Sequence, residues 1–171
     1  MGVGTPMYNA QLRRVNVQLY TRVGWVTGTM RAPVKSRLIE HLNHSREFLS
    51  LTDVRFETQP DPIPFFAVQR EAIILLVPPP NEMIAAPMIE EMEVHPLSCM
   101  LELGTLYGEF KTLKSVRVSD FISATKGFFH LENCDLVLGD RFGHHINEAH
   151  RPHVLVNIKH VIGVTEDSPE E

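Results

Sequence analysis

Residues Val17–Val54, VQLYTRVGWVTGTMRAPVKSRLIEHLNHSREFLSLTDV, align without a gap on Leu97–Cys134, LSCMLELGTLYGEFKTLKSVRVSDFISATKGFFHLENC, at an offset of 80. Gly24 falls on Gly104, Gly28 on Gly108, Arg37 on Arg117, Phe48 on Phe128 and Leu51 on Leu131. The apolar pattern carries over too, in Val17/Leu97, Leu19/Cys99, Val26/Leu106, Leu38/Val118, Leu42/Ile122 and Val54/Cys134. A fixed period of this kind points to one structural unit used twice, and it sets the architecture before any single element is considered.

Within the first copy, the alternation of Val15, Val17 and Leu19 predicts a half-buried strand. Arg22-Val23-Gly24 makes a turn, and Trp25–Met30 a second strand. Gly28 inside that strand predicts a bulge or sharp bend, the device by which a small sheet curls. Ser36 can cap a short helix over Arg37–His44, whose Leu38, Ile39 and Leu42 share a face. Phe48–Val54 reads as a third strand. Gln59–Pro64 (QPDPIP) reads as a proline-rich turn, because proline cannot donate to a ladder. Phe65–Val77 then supplies one or two strands broken near Arg70-Glu71. In the second copy the expected strands are Leu97–Leu103, Leu106–Thr112, Phe128–Leu138 and Val154–Val164, with a helix beginning at Ser119 and a histidine-rich loop over Gly139–His153. The resulting division is a first unit over 13–78, a proline-rich linker over 79–96 with an acidic helical turn around Met88–Met92, a second unit over 97–165, and an acidic tail over 166–171.

The bulk properties exclude several classes. The net charge of −5 does not fit a general polyanion binder, but it is unevenly spread. Residues 1–80 hold nine Lys/Arg against six Asp/Glu (+3), and residues 81–171 hold seven against fifteen (−8). Such asymmetry orients partners without defining a fold. The N-terminal stretch lacks the apolar core of a secretion signal. The longest apolar run, Ala72–Pro80, is far short of the ~20 residues that cross a bilayer. Cys99 and Cys134 replace aliphatic residues of the first copy, as buried thiols in a reducing cytoplasm would.

Gly24, Val26-Thr27-Gly28, Leu42-Asn43, Leu51-Thr52-Asp53-Val54 and the late apolar stretch Phe65–Pro78 together resemble the Sm/LSm-like, SH3-like small β-barrel domains, in the tandem form of the poorly characterised bacterial type. The fold class expected is therefore mainly β: two tandem small barrels, each with one short helix. Two departures bear on function. A helix stands between the second and third strands where Sm proteins have a tight loop. Ser123 also stands where the first copy has Asn43, the residue on which Sm-type RNA pockets rely. The resemblance thus speaks for the barrel more than for RNA binding, and function must be argued from a site.

Three sites compete. His144, His145, His150 and His153 lie within ten residues, and imidazoles of this density offer ligands to Zn²⁺ or a related ion, although no standard zinc spacing is present. Arg31, Lys35 and Arg37 around the first helix, with Tyr20, Trp25 and Asn43, supply the cations and aromatic rings that single-stranded RNA needs. Ile74 and Leu76 on a β-forming run, with Met88, Ile89 and Met92 of the linker, offer an apolar surface to another protein or another copy. Nucleophile elbows, phosphate loops and dinucleotide fingerprints are all missing, which argues against an enzyme, and no DNA signature is present. No cofactor is called for beyond a metal at the histidine loop. The expectation is a cytoplasmic, non-enzymatic assembly or scaffold subunit of a homo-oligomer or larger complex. An Sm-like RNA-binding protein comes second, and a metal- or ligand-binding regulatory module third.

Overall fold

The computed structural model describes residues 11–84, 91–139 and 146–166. In the first half, β1 (Leu12–Thr21) and β2 (Gly24–Pro33) form a hairpin. They are followed by α1 (Leu38–His44), β3 (Phe48–Phe56), β4 (Gln59–Gln69), a 3-10 turn at Arg70–Ala72 and the short β5 (Leu75–Val77). The second half runs β6 (Met92–Leu101), β7 (Gly104–Leu113), α2 (Val118–Ala124), β8 (Phe128–Gly139), β9 (Ile146–Asn157), a 3-10 turn at Ile158–His160 and β10 (Val161–Glu166). The bounds of β1, β2 and α1 shift by 80 onto those of β6, β7 and α2, and beyond the longer β8–β9 hairpin the two 3-10 turns are offset by 88.

The ten strands among the described residues pair antiparallel in one sheet, in the order β10-β6-β7-β8-β9-β5-β1-β2-β3-β4. The order within each half is the same, fifth strand first and fourth strand last. Among the described residues the fold is mainly β as expected, but the sheet is open, with edges at β4 and β10, rather than two barrels each closed on itself. The physical reason lies in β5. One edge of this strand pairs with β1 and the other with β9, through Leu75↔Val156 and Leu76↔Leu155, so the fifth strand of one half spends its second edge on the fourth strand of the other.

The bend expected at Gly28 is present. The β2–β3 register shifts between Thr27 and Thr29, and a side chain at Gly28 would sit 3.2 Å from Val54 Cγ2 and 3.3 Å from Leu51 Cβ. The extra residue opposite is Asp53, whose φ of 52° is left-handed, and its counterpart Asn133 has φ 49° beside the same shift around Gly108. Asp and Asn are the residues other than glycine that occupy this region most readily.

Other expectations are corrected. Gln59–Pro64 is not a turn but the first half of β4, tolerated because β4 is an edge strand whose register to β3 shifts between Val54 and Phe56. The strand expected from Leu97 begins at Met92, inside the stretch read as linker. Pro96 fits there because β10 covers β6 only from Leu97 onward. Ser36 makes no side-chain cap. The first amides of α1, those of Leu38 and Ile39, donate instead to the carbonyls of Met83 and Ile84, so the chain beyond the three prolines returns to cap the helix. The stretch Val154–Val164 is split between β9 and β10 by the second 3-10 turn, and β9 reaches back over half of the expected histidine loop.

Two cores fill the molecule, and each borrows from the other half. The first contains Val15, Leu19, Met30, Leu38, Leu51 and Leu76, together with Phe128 and Leu155. The second contains Leu97, Leu106, Phe110, Phe129 and Leu136, together with Tyr20, Ile74, Leu75 and Val77. Both cysteines are buried and free, and burial pushes each thiol up to about 12, as expected of inert packing residues. Among the described residues, no helix is long and apolar enough to cross a membrane.

Candidate functional site: the junction and its exposed counterparts

The junction between the halves is built from short-range decisions in the chain. Gly127 has no side chain, and one there would collide with the Asn43 amide at the end of α1. Asn43 uses that space to clasp the start of β8. Its Oδ1 accepts from the Phe128 N–H at 2.7 Å, and its Nδ2 donates to the Phe128 carbonyl at 3.1 Å. On the other side Asn157, one of few buried polar residues, donates its backbone N–H to the Ile74 carbonyl at 3.0 Å and its Nδ2 to the Ile73 carbonyl at 3.0 Å. The Ile74 N–H in turn reaches the Tyr20 carbonyl at 2.8 Å. Tyr20 is tilted against Trp25 at 5.1 Å between ring centroids, and its hydroxyl donates to the Gly139 carbonyl at 3.1 Å.

The counterparts of these residues lie at the two open ends, and there they are exposed. Phe128 is 3% exposed and its counterpart Phe48 52%; Tyr20 is 4% and Met100 56%; Ile74 is 1% and Ile162 66%. At the β4 end, Phe48 borders an open cleft with Arg31, His41, His44 and Arg46. At the β10 end, a second cleft runs along α2 with Glu93, His95, Arg117 and Glu166 on its walls. The prolines of β4 stop at Pro64, and Phe65–Gln69 has none. Because the Arg70 amide bonds the Glu47 carbonyl across to β3, strand alternation turns the Gln69 and Ala67 amides to the open edge.

The residues singled out as an RNA site are divided by the fold. Arg31 and Lys35 are exposed, and Arg31 lines the cleft beside Phe48. Arg37 lies 2.9 Å from Met83 Sδ, Asn43 is the clasp on Phe128, and Tyr20 and Trp25 belong to the junction. Ile74 and Leu76, expected to face another subunit, are buried inside this chain because β5 already has neighbours on both edges. Met92 opens β6 half-buried, while Met88 and Ile89 fall outside the described residues.

Of the four histidines, His144 and His145 also fall outside the described residues. His150 and His153 are three apart on β9 and so point to opposite faces. His150 meets Asp135 at 2.8 Å. His153 instead meets two residues of β8 that the sequence reading passed over, His130 and Glu132. His130 Nε2 lies 3.0 Å from His153 Nδ1, and Glu132, directly across the ladder from His153, pairs with Lys111 at 2.7 Å. Burial pushes the His130 imidazole down to about 4, helped by the neighbouring His153, so this ring is neutral at neutral pH. Burial opposes ionisation of Glu132, but the hydrogen bond and charge of Lys111 outweigh it and hold the carboxyl below its usual value. The alternation of His130 and Glu132 was visible in the sequence; the register that sets them against His153 was not. No protein-family model matches this chain, and no curated protein or solved structure gives a match.

Proposed function

We propose that this chain is a tandem pair of small Sm/SH3-like units, joined edge to edge in one open sheet, that acts as a non-enzymatic assembly subunit, its β10 end docking on the β4 end of the next copy. The observation that carries the reading is the exposure of Phe48, Met100 and Ile162, whose counterparts Phe128, Tyr20 and Ile74 are buried where β5 meets β9. An interface of this kind joins two different patches, so it propagates until it closes on itself as a ring or runs on as a filament. Repeating the β5–β9 pairing at an offset of 88 sets Ala67 opposite Val164 and Val68 opposite Gly163, and directs the Gln69 amide to the Ile162 carbonyl. Charge favours the same direction. The cleft at the β4 end carries Arg31 and Arg46 against Glu40, while the other end carries Glu93 and Glu166 against Arg117, so a small net attraction steers the approach. The Asn–Gly clasp is absent from this outer contact, where Ser123 and Glu47 take the places of Asn43 and Gly127. The contact between copies is therefore weaker than the one within the chain.

The test uses two surface changes, Phe48→Asp and Ile162→Asp. Both side chains are exposed in the single chain, so each change is expected to alter stability by less than about 0.5 kcal/mol. Light scattering and sedimentation should show the wild type as a multiple of its 19.4 kDa mass and each variant as a single chain. High salt should weaken the wild-type assembly. A wild type of single-chain mass, or variants that keep its assembled mass, would overturn the reading. Absorbance at 260 nm that leaves with nuclease would mean that nucleic acid, not a second copy, occupies the cleft beside Phe48.

A further inference from the structure

We propose that His130, Glu132 and His153 form a binding site for a divalent transition-metal ion, on the β8–β9 face that borders the groove between the halves. The three side chains come from positions that the ladder places together. Glu132 faces His153 directly across the strands, and His130 is the next residue along β8 on the same face. One ligand atom from each lies within 4.8 Å of the other two, and all three side chains are half-buried. The separation of 3.0 Å between the two ring nitrogens is close to the edge of about 3.3 Å between ligands held at about 2.0–2.1 Å by a tetrahedral ion. Two imidazoles and a carboxylate, without a thiolate, suit zinc, iron(II), nickel or cobalt rather than a softer or harder ion. The groove beside the cluster encloses about 880 Å³ and is bordered by Phe128, Met83 and Lys111, which leaves room for water or a small ligand at the remaining coordination position.

Lys111 decides how the site behaves without metal. Its ammonium sits 2.7 Å from Glu132 and occupies the carboxylate that the ion would take. Metal and lysine therefore compete for one group, and the lysine lowers the affinity of a site whose ligands are otherwise preset. This site differs from the histidine-loop reading of the sequence. It uses His153 but takes its other ligands from β8, and it leaves out His150, which is on the opposite face and bonded to Asp135.

The probe is zinc titrated calorimetrically into the full chain after treatment with a chelator, with cobalt(II) absorption as a second reading of coordination. The wild type should bind one ion per chain. His130→Ala, His153→Ala and Glu132→Gln should each weaken binding at least tenfold, and His150→Ala should leave it unchanged. Lys111→Met, which removes the competitor, should tighten binding severalfold. That gain cannot arise from a variant that merely fails to fold. No binding by the wild type, equal binding by the wild type and the His130→Ala and Glu132→Gln variants, or loss on His150→Ala alone would overturn the site.

Discussion

Phe129→Ala is expected to cost about 3–5 kcal/mol, the usual range for a large aromatic removed from a well-packed core. Phe129 is 1% exposed and lies edge-on to Phe110 with ring centroids 6.1 Å apart. It also stands opposite Val156 on β9, whose other neighbour is Leu75 of β5. The cavity left behind would thus open beneath the strand that joins the halves, where rigid strands on both sides limit collapse. For a chain of this size each kcal/mol moves the melting temperature by about 2–4 °C, so a fall of about 10 °C is expected. Phe121→Ala is the control. Phe121 also lies edge-on to Phe110, at 4.7 Å, but it is an exposed residue of α2 and its loss should cost about 1 kcal/mol or less. Denaturant midpoints with unchanged slopes would measure both. Equal losses at the two positions would contradict the placement of Phe129 in the shared core.

Gly127→Ala is expected to cost about 2–3 kcal/mol, and the cost should depend on Asn43. The added methyl would meet Asn43 Cγ at 2.9 Å and strike its Oδ1, which is the atom that accepts the Phe128 amide. Asn43 must then leave both bonds to Phe128 or push the strand away, and a half-buried amide and carbonyl lose their partners. Asn43→Ala alone should cost about 1–2 kcal/mol. In that background Gly127→Ala has nothing to strike, so the double variant should be little worse than Asn43→Ala. This non-additivity is the signature of two groups in contact. Additive losses would mean that glycine is needed at 127 for its backbone alone, and that the clasp does not hold the halves together.

Much of the fold was legible because local and repeated signals agreed. The period of two in Val15–Leu19, the breaks at Gly24 and Gly104, the bend at Gly28 and the 80-residue offset each specify local geometry, and the elements fall where they direct. Two kinds of feature were not legible. Gln59–Pro64 was misread because proline forbids a central strand but not an edge strand, and which strand is an edge is a property of the whole sheet. The path of β5 was hidden for the same reason. AIILLV announces a buried strand but not which neighbour buries it, so Ile74 and Leu76 looked available to a partner when another part of the chain covers them. The candidate sites divide similarly. Asn43 stands out in the sequence as a candidate RNA contact after Leu42, whereas its bonds to Phe128 depend on Gly127, which is distant in sequence. The density of histidines marks His153 as a candidate, whereas setting His130 and Glu132 beside it needs the β8–β9 register. The exposed ends are the clearest case. Phe48 and Phe128 are matched by the 80-residue offset, and only their places in the sheet separate an exposed ring from a buried one.

The pairing of the two open ends is tested most directly by a disulfide across the expected register. Ala67→Cys and Val164→Cys in one chain would set a thiol on each free edge, while Cys99 and Cys134 stay buried. Opposed residues in an antiparallel pair have Cα atoms about 4.5–5.5 Å apart, within disulfide reach. Mild oxidation should link the double variant into covalent multimers, while each single variant stays one chain long. Ala67→Cys with Thr165→Cys, one residue out of register and on the other face, should link poorly. Multimers from the first pair alone are the result this account predicts. No linkage, or equal linkage from both pairs, would contradict head-to-tail pairing of β10 with β4.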